Sequence, residues 1–415
     1  MSPAAEQRLA TGRHPGRPVA YAVTWISYAS YYLGRKGLPV AKATIEAALG
    51  KPSLYGVETA YLAAYALGMH VNGFFGDRMG ARRLITFGML LSAAACFAFG
   101  ASATGGVFLL AWLVNGYAQS TGWPGNIKAM AEWTPPERRG SVMGIWSTCY
   151  QVGGIVATSV AVRFMVRWGV PWAFWGPALI MAVAGLAVAI LLKKGPLAGG
   201  ATGTPEARDP EEERTALSAA RRALVRSPVV WSLGAAYFCL KLTRYAILFW
   251  APYYLKQVLG YETTLAADVA TAFEWGGVAG AVVVGVLSDR VRRVPRPLIA
   301  VVCVVGLAGA FRLYMEVGPG VAGNVAGLAL IGFLLFGPDS LVSAAAAQDA
   351  GGPRAAALAA GLINGIGSVG AIFQEALVRG VSARWGWDGL FRAFVGLSLA
   401  AAVCLVPAVT RSRRG

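Results

Sequence analysis

Two arginines stand in apolar surroundings where a charge is costly to keep. Arg35 sits in the run SYASYYLGRKGLPV and Arg244 in LTRYAILFWAPYYL. An ionised side chain in the middle of a membrane span costs about 2.5–3.5 kcal/mol on insertion scales, so a charge retained there points to a task. An arginine stays protonated at any working pH and offers a planar fork of donors that matches a phosphate or a carboxylate. Positions 35 and 244 are offset by 209 residues, about half the chain. If the halves repeat, the two side chains lie at equivalent depths and would clamp one dianion across a midplane cavity. The plain alternative is two unrelated arginines, neutralised by local acids or snorkelling to an interface.

The neighbours of each arginine extend this chemistry. Tyr28 and Tyr32 fall at helical spacing on the face of Arg35, where their hydroxyls would hydrogen-bond a bound anion; as interface aromatics they would be ordinary. Lys241 precedes Arg244 by one turn and shares its face. Glu274 and Asp339 are the available counter-charges. Lys241 and Arg244 against Glu274 and Asp339 would make a charge-balanced cluster that re-pairs during a transport cycle, with Lys241 expected opposite Asp339. Glu375, nearer the end of its run, reads as structural or gating.

A second kind of motif sits at the ends of apolar runs. GFFGDRMGARR carries Asp77 and Arg78, and GVLSDRVRR carries Asp289 and Arg290, offset by 212 residues. Glycine permits close backbone approach, and an Asp–Arg pair can hold adjacent helices together at one end. These residues read as a conformational latch and not as a substrate site.

Other chemistries are excluded. With only His14 and His70, no histidine-based metal site is expected, and no cofactor is called for. Gly365, Gly367 and Gly370 in GIGSVG match the spacing of a dinucleotide loop, but they follow no strand and lie in an apolar run, so tight helix packing explains them. There is no Walker loop and no nucleophile–base arrangement, so the chain does not read as an enzyme. Cys96, Cys149, Cys239, Cys303 and Cys404 all fall inside apolar runs and read as small packing residues.

The elements that must position these residues follow from apolar runs of about 20 residues, each long enough to cross the hydrocarbon core. They give expected spans at 19–41, 56–76, 84–103, 105–130, 141–166 and 170–193, then 228–256, 266–288, 297–316, 321–347, 356–382 and 386–410. Only 14% of residues are charged, against about 25% in soluble domains. The net charge of +17 gathers in short loops, such as Arg78, Arg82, Arg83 and Arg290, Arg292, Arg293, Arg296. That is the pattern of cytoplasmic loops and not of a nucleic-acid surface. Residues 1–18 lack an apolar signal core, and their arginines place them in the cytoplasm. An even number of spans returns Arg411, Arg413 and Arg414 to the same side. The expectation is a multi-pass protein of the cell inner membrane with both termini cytoplasmic.

Lys194–Ser227 is the most polar stretch. It opens with the flexible tract GPLAGGATGTP and continues as an interfacial amphipathic helix, acidic first and basic last as a helix dipole favours. Pro124 and Pro338, offset by 214 residues, add a third repeat feature to those at 209 and 212. Parallel halves of six spans follow: an all-α membrane protein with a six-helix bundle in 1–193, a linker in 194–227 and a second bundle in 228–415.

The stretches SYASYYLGRKG, GFFGDRMGARR, YAQSTGWPGNIKAMAEW, YQVGG, LTRYAILFWAPYYLK, FEWGGVAG, LLFGPD and GWDGLF resemble the organophosphate:phosphate antiporter family of the major facilitator superfamily, which includes bacterial glycerol-3-phosphate and hexose-phosphate carriers. The resemblance runs through essentially the whole chain. It implies the major facilitator fold, with Arg35 and Arg244 as the phosphate-binding pair and Tyr28, Tyr32 and Tyr65 nearby. The sequence departs from that family at Met69, where a lysine is common, with His70 beside it. It departs again at Tyr150 in place of a histidine, at Phe249 in place of an aspartate and at Phe336 in place of a tyrosine. Lys241 and Asp339 look like additions.

The leading expectation is a monomeric carrier that exchanges an organic phosphate for inorganic phosphate by alternating access. Two others stand beside it: a proton-coupled carboxylate or phosphonate carrier in which His70, Glu274 or Asp339 titrates, and a non-transporting membrane sensor of a sugar phosphate.

Overall fold

Polar residues, prolines and glycines within the apolar runs decide where the helices break. The computed structural model describes residues 14–49, 54, 56–198, 210–291 and 293–412. Expectations for residues 1–13, for the 199–209 part of the glycine-rich tract, and for Arg292, Arg413 and Arg414 lie outside the described residues. Among the described residues there is no strand.

The first span is α1 (Arg17–Tyr31) and α2 (Leu33–Leu49), parted at Tyr32. α3 (Val57–Met79) and α4 (Ala81–Gly100) are the second and third, turned at Gly80 with φ of 82°. The fourth is α5 (Gly105–Gln119) followed by α6 (Gly122–Trp133). Between them the hydroxyls of Ser120 and Thr121 donate back to the carbonyls of Tyr117 and Ala118, a local bond that competes with the helix ladder and bends it. α7 (Arg139–Trp146) with α8 (Thr148–Trp168), and then α9 (Trp172–Leu191), complete the first six spans. The linker carries α10 (Pro210–Val225), where the amphipathic helix was expected.

The second six begin with α11 (Pro228–Gln257), α12 (Thr263–Arg290) and α13 (Arg296–Tyr314). α14 (Val321–Ser340) holds Pro338, which lacks an amide donor. A π-helical turn, Leu341–Ala345, absorbs the fault before α15 (Ala346–Ile372). Non-helical Gly352 (φ 55°) and Ala355 part the tenth span from the eleventh. Gly386 (φ 68°) within α16 (Gln374–Ser412) parts the eleventh from the twelfth. Counted at these breaks, the described helices make twelve spans, six on each side of the linker.

Packing gathers the residues into two compact units. The first is drawn from Met1–Pro136, Cys149–Arg226 and Gln348–Gly365, the second from Glu137–Thr148, Ser227–Ala347 and Ile366–Gly415. Each unit thus incorporates a short segment from the other sequence half. In the second unit α12 and α14 meet backbone to backbone: a Cβ at Gly280 or Gly332 would collide with the carbonyl of Phe333 or Phe273. Small residues at such contacts are what let membrane helices approach closely.

Candidate functional site

In the first unit, the break at Tyr32 starts a new helix whose third residue is Arg35. Its Nε donates to Gln119 Oε1 at 2.6 Å. Gln119 is itself oriented by a buried relay: its Nε2 donates to Ser92 Oγ (2.8 Å), Ser92 Oγ donates to Asn115 Oδ1 (2.6 Å), and Asn115 Nδ2 donates to the Gly34 carbonyl (2.8 Å). The relay spends the amide nitrogen of Gln119 on Ser92 and so turns its oxygen toward Arg35. The guanidinium carbon lies 4.7 Å from the ring centroid of Tyr32 and 5.2 Å from that of Tyr65. Arg35 Nη2 is sealed from solvent with no hydrogen-bond partner. Among the described residues no carboxylate pairs with Arg35.

Cation–π contacts contribute about 0.5–2 kcal/mol, and a neutral amide carries no compensating charge. Arg35 is therefore a buried cation that no carboxylate among the described residues neutralises. Tyr28 is buried, with its ring 6.2 Å from that of Tyr32, so Tyr28, Tyr32, Tyr65 and Arg35 form one aromatic-cationic cluster even though the helix is broken between positions 31 and 33. Gln119, Ser92 and Asn115 are functional neighbours that the sequence reading missed. Polar residues within an apolar run were their only signal.

The second unit treats its arginine differently. Arg244 Nη1 lies 2.9 Å from Asp339 Oδ1, and the side chains are 10% and 1% exposed. The guanidinium also sits 5.0 Å from the Tyr245 ring and 5.5 Å from that of Phe336. Lys241, buried, donates through Nζ to Ser368 Oγ at 2.8 Å. The ion pair from Arg244 to Asp339 joins two members of the expected cluster of Lys241 and Arg244 against Glu274 and Asp339. Glu274 is half-buried on α12. Glu375 is exposed and accepts from Arg379 Nε at 2.8 Å, one turn away.

The two motif aspartates, in the last turns of α3 and α12, cap the starts of other helical segments. Asp77 accepts from the backbone amides of Ala357 (3.2 Å) and Leu358 (3.0 Å), directly after the kink in α15. It also accepts from Lys128 Nζ at 3.2 Å, and Lys128 donates in addition to the Pro353 carbonyl. Asp289 accepts from the amides of Gly140 (3.0 Å) and Ser141 (2.6 Å) in the first turn of α7, and from Arg296 Nη2 (2.9 Å). Exposed first-turn amides bind a carboxylate well. The basic partners are Lys128 and Arg296, not the adjacent Arg78 and Arg290. Lys128 was not singled out from the sequence, because one lysine in GNIKAMAEW gives no hint of its partners.

His70 is half-buried, its Nδ1 3.0 Å from the Ala66 carbonyl of its own helix, and its ring occupies the space beside Gly365. Gly367 packs on Tyr237 and Gly370 on the Phe238 backbone, so the GIGSVG glycines serve helix packing. Met69 is fully buried, Tyr150 packs near Trp123 with ring centroids 6.5 Å apart, and Phe249 is exposed.

Residues 24–375 match the family profile described as Major Facilitator Superfamily. The chain belongs to that superfamily. It is 28% identical over 404 residues to sugar phosphate exchanger 3 of Xenopus laevis, covering 86% of this chain and 79% of that protein. It is 26% identical to the glucose-6-phosphate exchanger SLC37A2 of Bos taurus, covering 92% of each. Its fold is similar to that of the human organic anion transporter MFSD10, with a TM-score of 0.70 at 16% identity, covering 95% of this chain and all of that one. As a major facilitator chain it is an all-α membrane protein with twelve transmembrane helices in two six-helix bundles. It is a transport protein and not an enzyme.

Proposed function

We propose that this chain exchanges an organic phosphate of the sugar-phosphate class for inorganic phosphate by alternating access. The observation that carries the proposal is the state of Arg35. Its guanidinium is held by a neutral amide and two rings, one nitrogen is sealed off without an acceptor, and among the described residues no acid compensates it. A phosphate oxygen supplies both the missing charge and the missing acceptor. The names of the relatives, exchangers of sugar phosphates, support the same class of ligand.

In this account Arg35 and Arg244 are the two anion-binding arginines. Tyr28, Tyr32, Tyr65 and Lys241 contribute hydrogen bonds or charge beside them. Asp339 is the counter-ion that Arg244 gives up when it engages a ligand, and His70 and Glu274 are the other groups available for coupling. The Asp77 and Asp289 caps tie residues of one sequence half to helix starts of the other, and they open when the halves 1–193 and 228–415 part at that end. The carrier works as a monomer in the cell inner membrane, with the 194–227 linker and both termini cytoplasmic.

Proteoliposomes loaded with inorganic phosphate test the reading. Labelled glucose-6-phosphate or glycerol-3-phosphate enters when phosphate is inside and does not enter empty vesicles. Uptake driven by an imposed pH gradient without internal phosphate contradicts exchange. Binding without any flux contradicts transport.

A further inference from the structure

The linker helix α10 borders an open cavity of about 880 Å³, lined by Arg78, Lys194, Arg214 and Arg221 against Asp77 and Glu211. A second cavity of about 440 Å³ shares Asp77, Arg78 and Lys194 with it and adds Arg82, Arg83 and Lys193. The carboxylate of Asp77 is already spent on Lys128 and two backbone amides. Among the described residues Arg78, Lys194 and Arg214 make no ion pair.

The cations are also crowded. Arg221 is only 6% exposed, donates from Nη2 to the Phe74 carbonyl at 2.6 Å, and keeps a buried Nε with no partner. Its guanidinium carbon lies 4.2 Å from the Phe74 ring centroid, and that of Arg78 lies 4.8 Å from the same centroid. Like charges gathered on one ring repel. Burial pulls the Arg221 guanidinium below its ordinary value, Asp77 opposes this, and Arg78 adds to it.

We infer that these cavities are a second anion site, distinct from the Arg35 and Arg244 clusters, that takes a multivalent phosphate group. Guanidinium forks and an ammonium suit phosphate oxygens, and Thr215 on α10 supplies a hydroxyl at the cavity wall. The phosphate group can come from a soluble metabolite or from an anionic lipid headgroup, since positively charged helix ends recruit both. Its place beside Asp77 lets an occupant of this site act on the cap at Ala357 and Leu358.

The test uses full-length protein in phosphatidylcholine nanodiscs and inorganic pyrophosphate as probe, read by calorimetry. Arg35→Ala combined with Arg244→Ala removes the transport site and should still bind pyrophosphate. Lys194→Gln combined with Arg214→Gln should weaken that remaining event by about tenfold or more, while sugar-phosphate exchange in the Lys194→Gln, Arg214→Gln protein persists. Should the arginine double variant fail to fold, wild type and the Lys194→Gln, Arg214→Gln protein are compared directly, and wild type should show one more binding event. Phosphatidylglycerol added to the nanodiscs distinguishes the sources. Competition with pyrophosphate identifies a lipid headgroup, and undiminished binding identifies a soluble anion. No pyrophosphate binding outside the transport site, or binding untouched by Lys194→Gln and Arg214→Gln, overturns the site. Neither result bears on whether Arg35 binds substrate.

Discussion

Arg244 and Asp339 form a buried ion pair 2.9 Å long, whereas Arg35 is held by neutral groups, the Gln119 amide at 2.6 Å and the rings of Tyr32 and Tyr65. One arginine carries its own anion, and among the described residues the other has none. The repeat makes them equivalent in sequence, and the structure makes them different in electrostatics.

That difference predicts the behaviour of Asp339→Asn. Arg244 loses its resident competitor, so inorganic phosphate should bind more tightly. The gain is on the scale of one charged hydrogen bond, about 1.5–3 kcal/mol. Without phosphate the variant buries a charge lacking its partner, a loss that typically costs about 3–5 kcal/mol. Its melting temperature should therefore fall in phosphate-free buffer and recover on adding phosphate, with slower exchange. Unchanged affinity and unchanged melting would show that the pair does not regulate the site.

Gln119→Glu makes the converse change. It gives Arg35 a carboxylate at the position of the present amide and so copies the Arg244–Asp339 arrangement. Thermal stability should rise or hold, and phosphate affinity should fall by about tenfold or more, the value of one lost charged contact. An affinity equal to wild type would mean that Arg35 does not receive the anion.

The caps predict a local signature. Asp77→Ala should speed amide exchange at Ala357 and Leu358, and Asp289→Ala should do so at Gly140 and Ser141. Loss of a capping side chain costs about 0.5–2 kcal/mol, and Asp77→Ala also strips buried Lys128 of a counter-ion. Hydrogen–deuterium exchange with mass spectrometry reads both segments. Unaltered exchange at those amides would remove the caps from the account.

Topology follows from the basic loops. Reporter fusions after Lys194 and after Arg411 should be active only with a cytoplasmic reporter. Activity of an external reporter at either site would overturn the proposed orientation.

Much of the fold was legible because the bilayer demands it. Apolar length marks spans, and the expected boundaries at 321–347, 356–382 and 386–410 fall at the kinks of Gly352, Ala355 and Gly386. The repeated Asp77 and Asp289 were legible as a pair because similar Asp-Arg motifs recur 212 residues apart. Their targets were not. A carboxylate at a helix end can find an adjacent arginine or a distant amide, and only tertiary placement chose Ala357, Leu358, Gly140 and Ser141. Gln119 escaped notice because its importance lies in the Ser92–Asn115–Gly34 relay that turns its amide, and such a relay joins three helices whose contacts local spacing does not give.

The most direct test of the central claim is the affinity of purified Arg35→Lys for inorganic phosphate, measured by calorimetry beside wild type. Lysine keeps the charge but loses the fork, and it cannot hold Gln119 and a phosphate oxygen in one plane. The account predicts a loss of about tenfold or more, one charged hydrogen bond's worth, in a protein that melts as a folded carrier. Wild-type affinity in Arg35→Lys would contradict it.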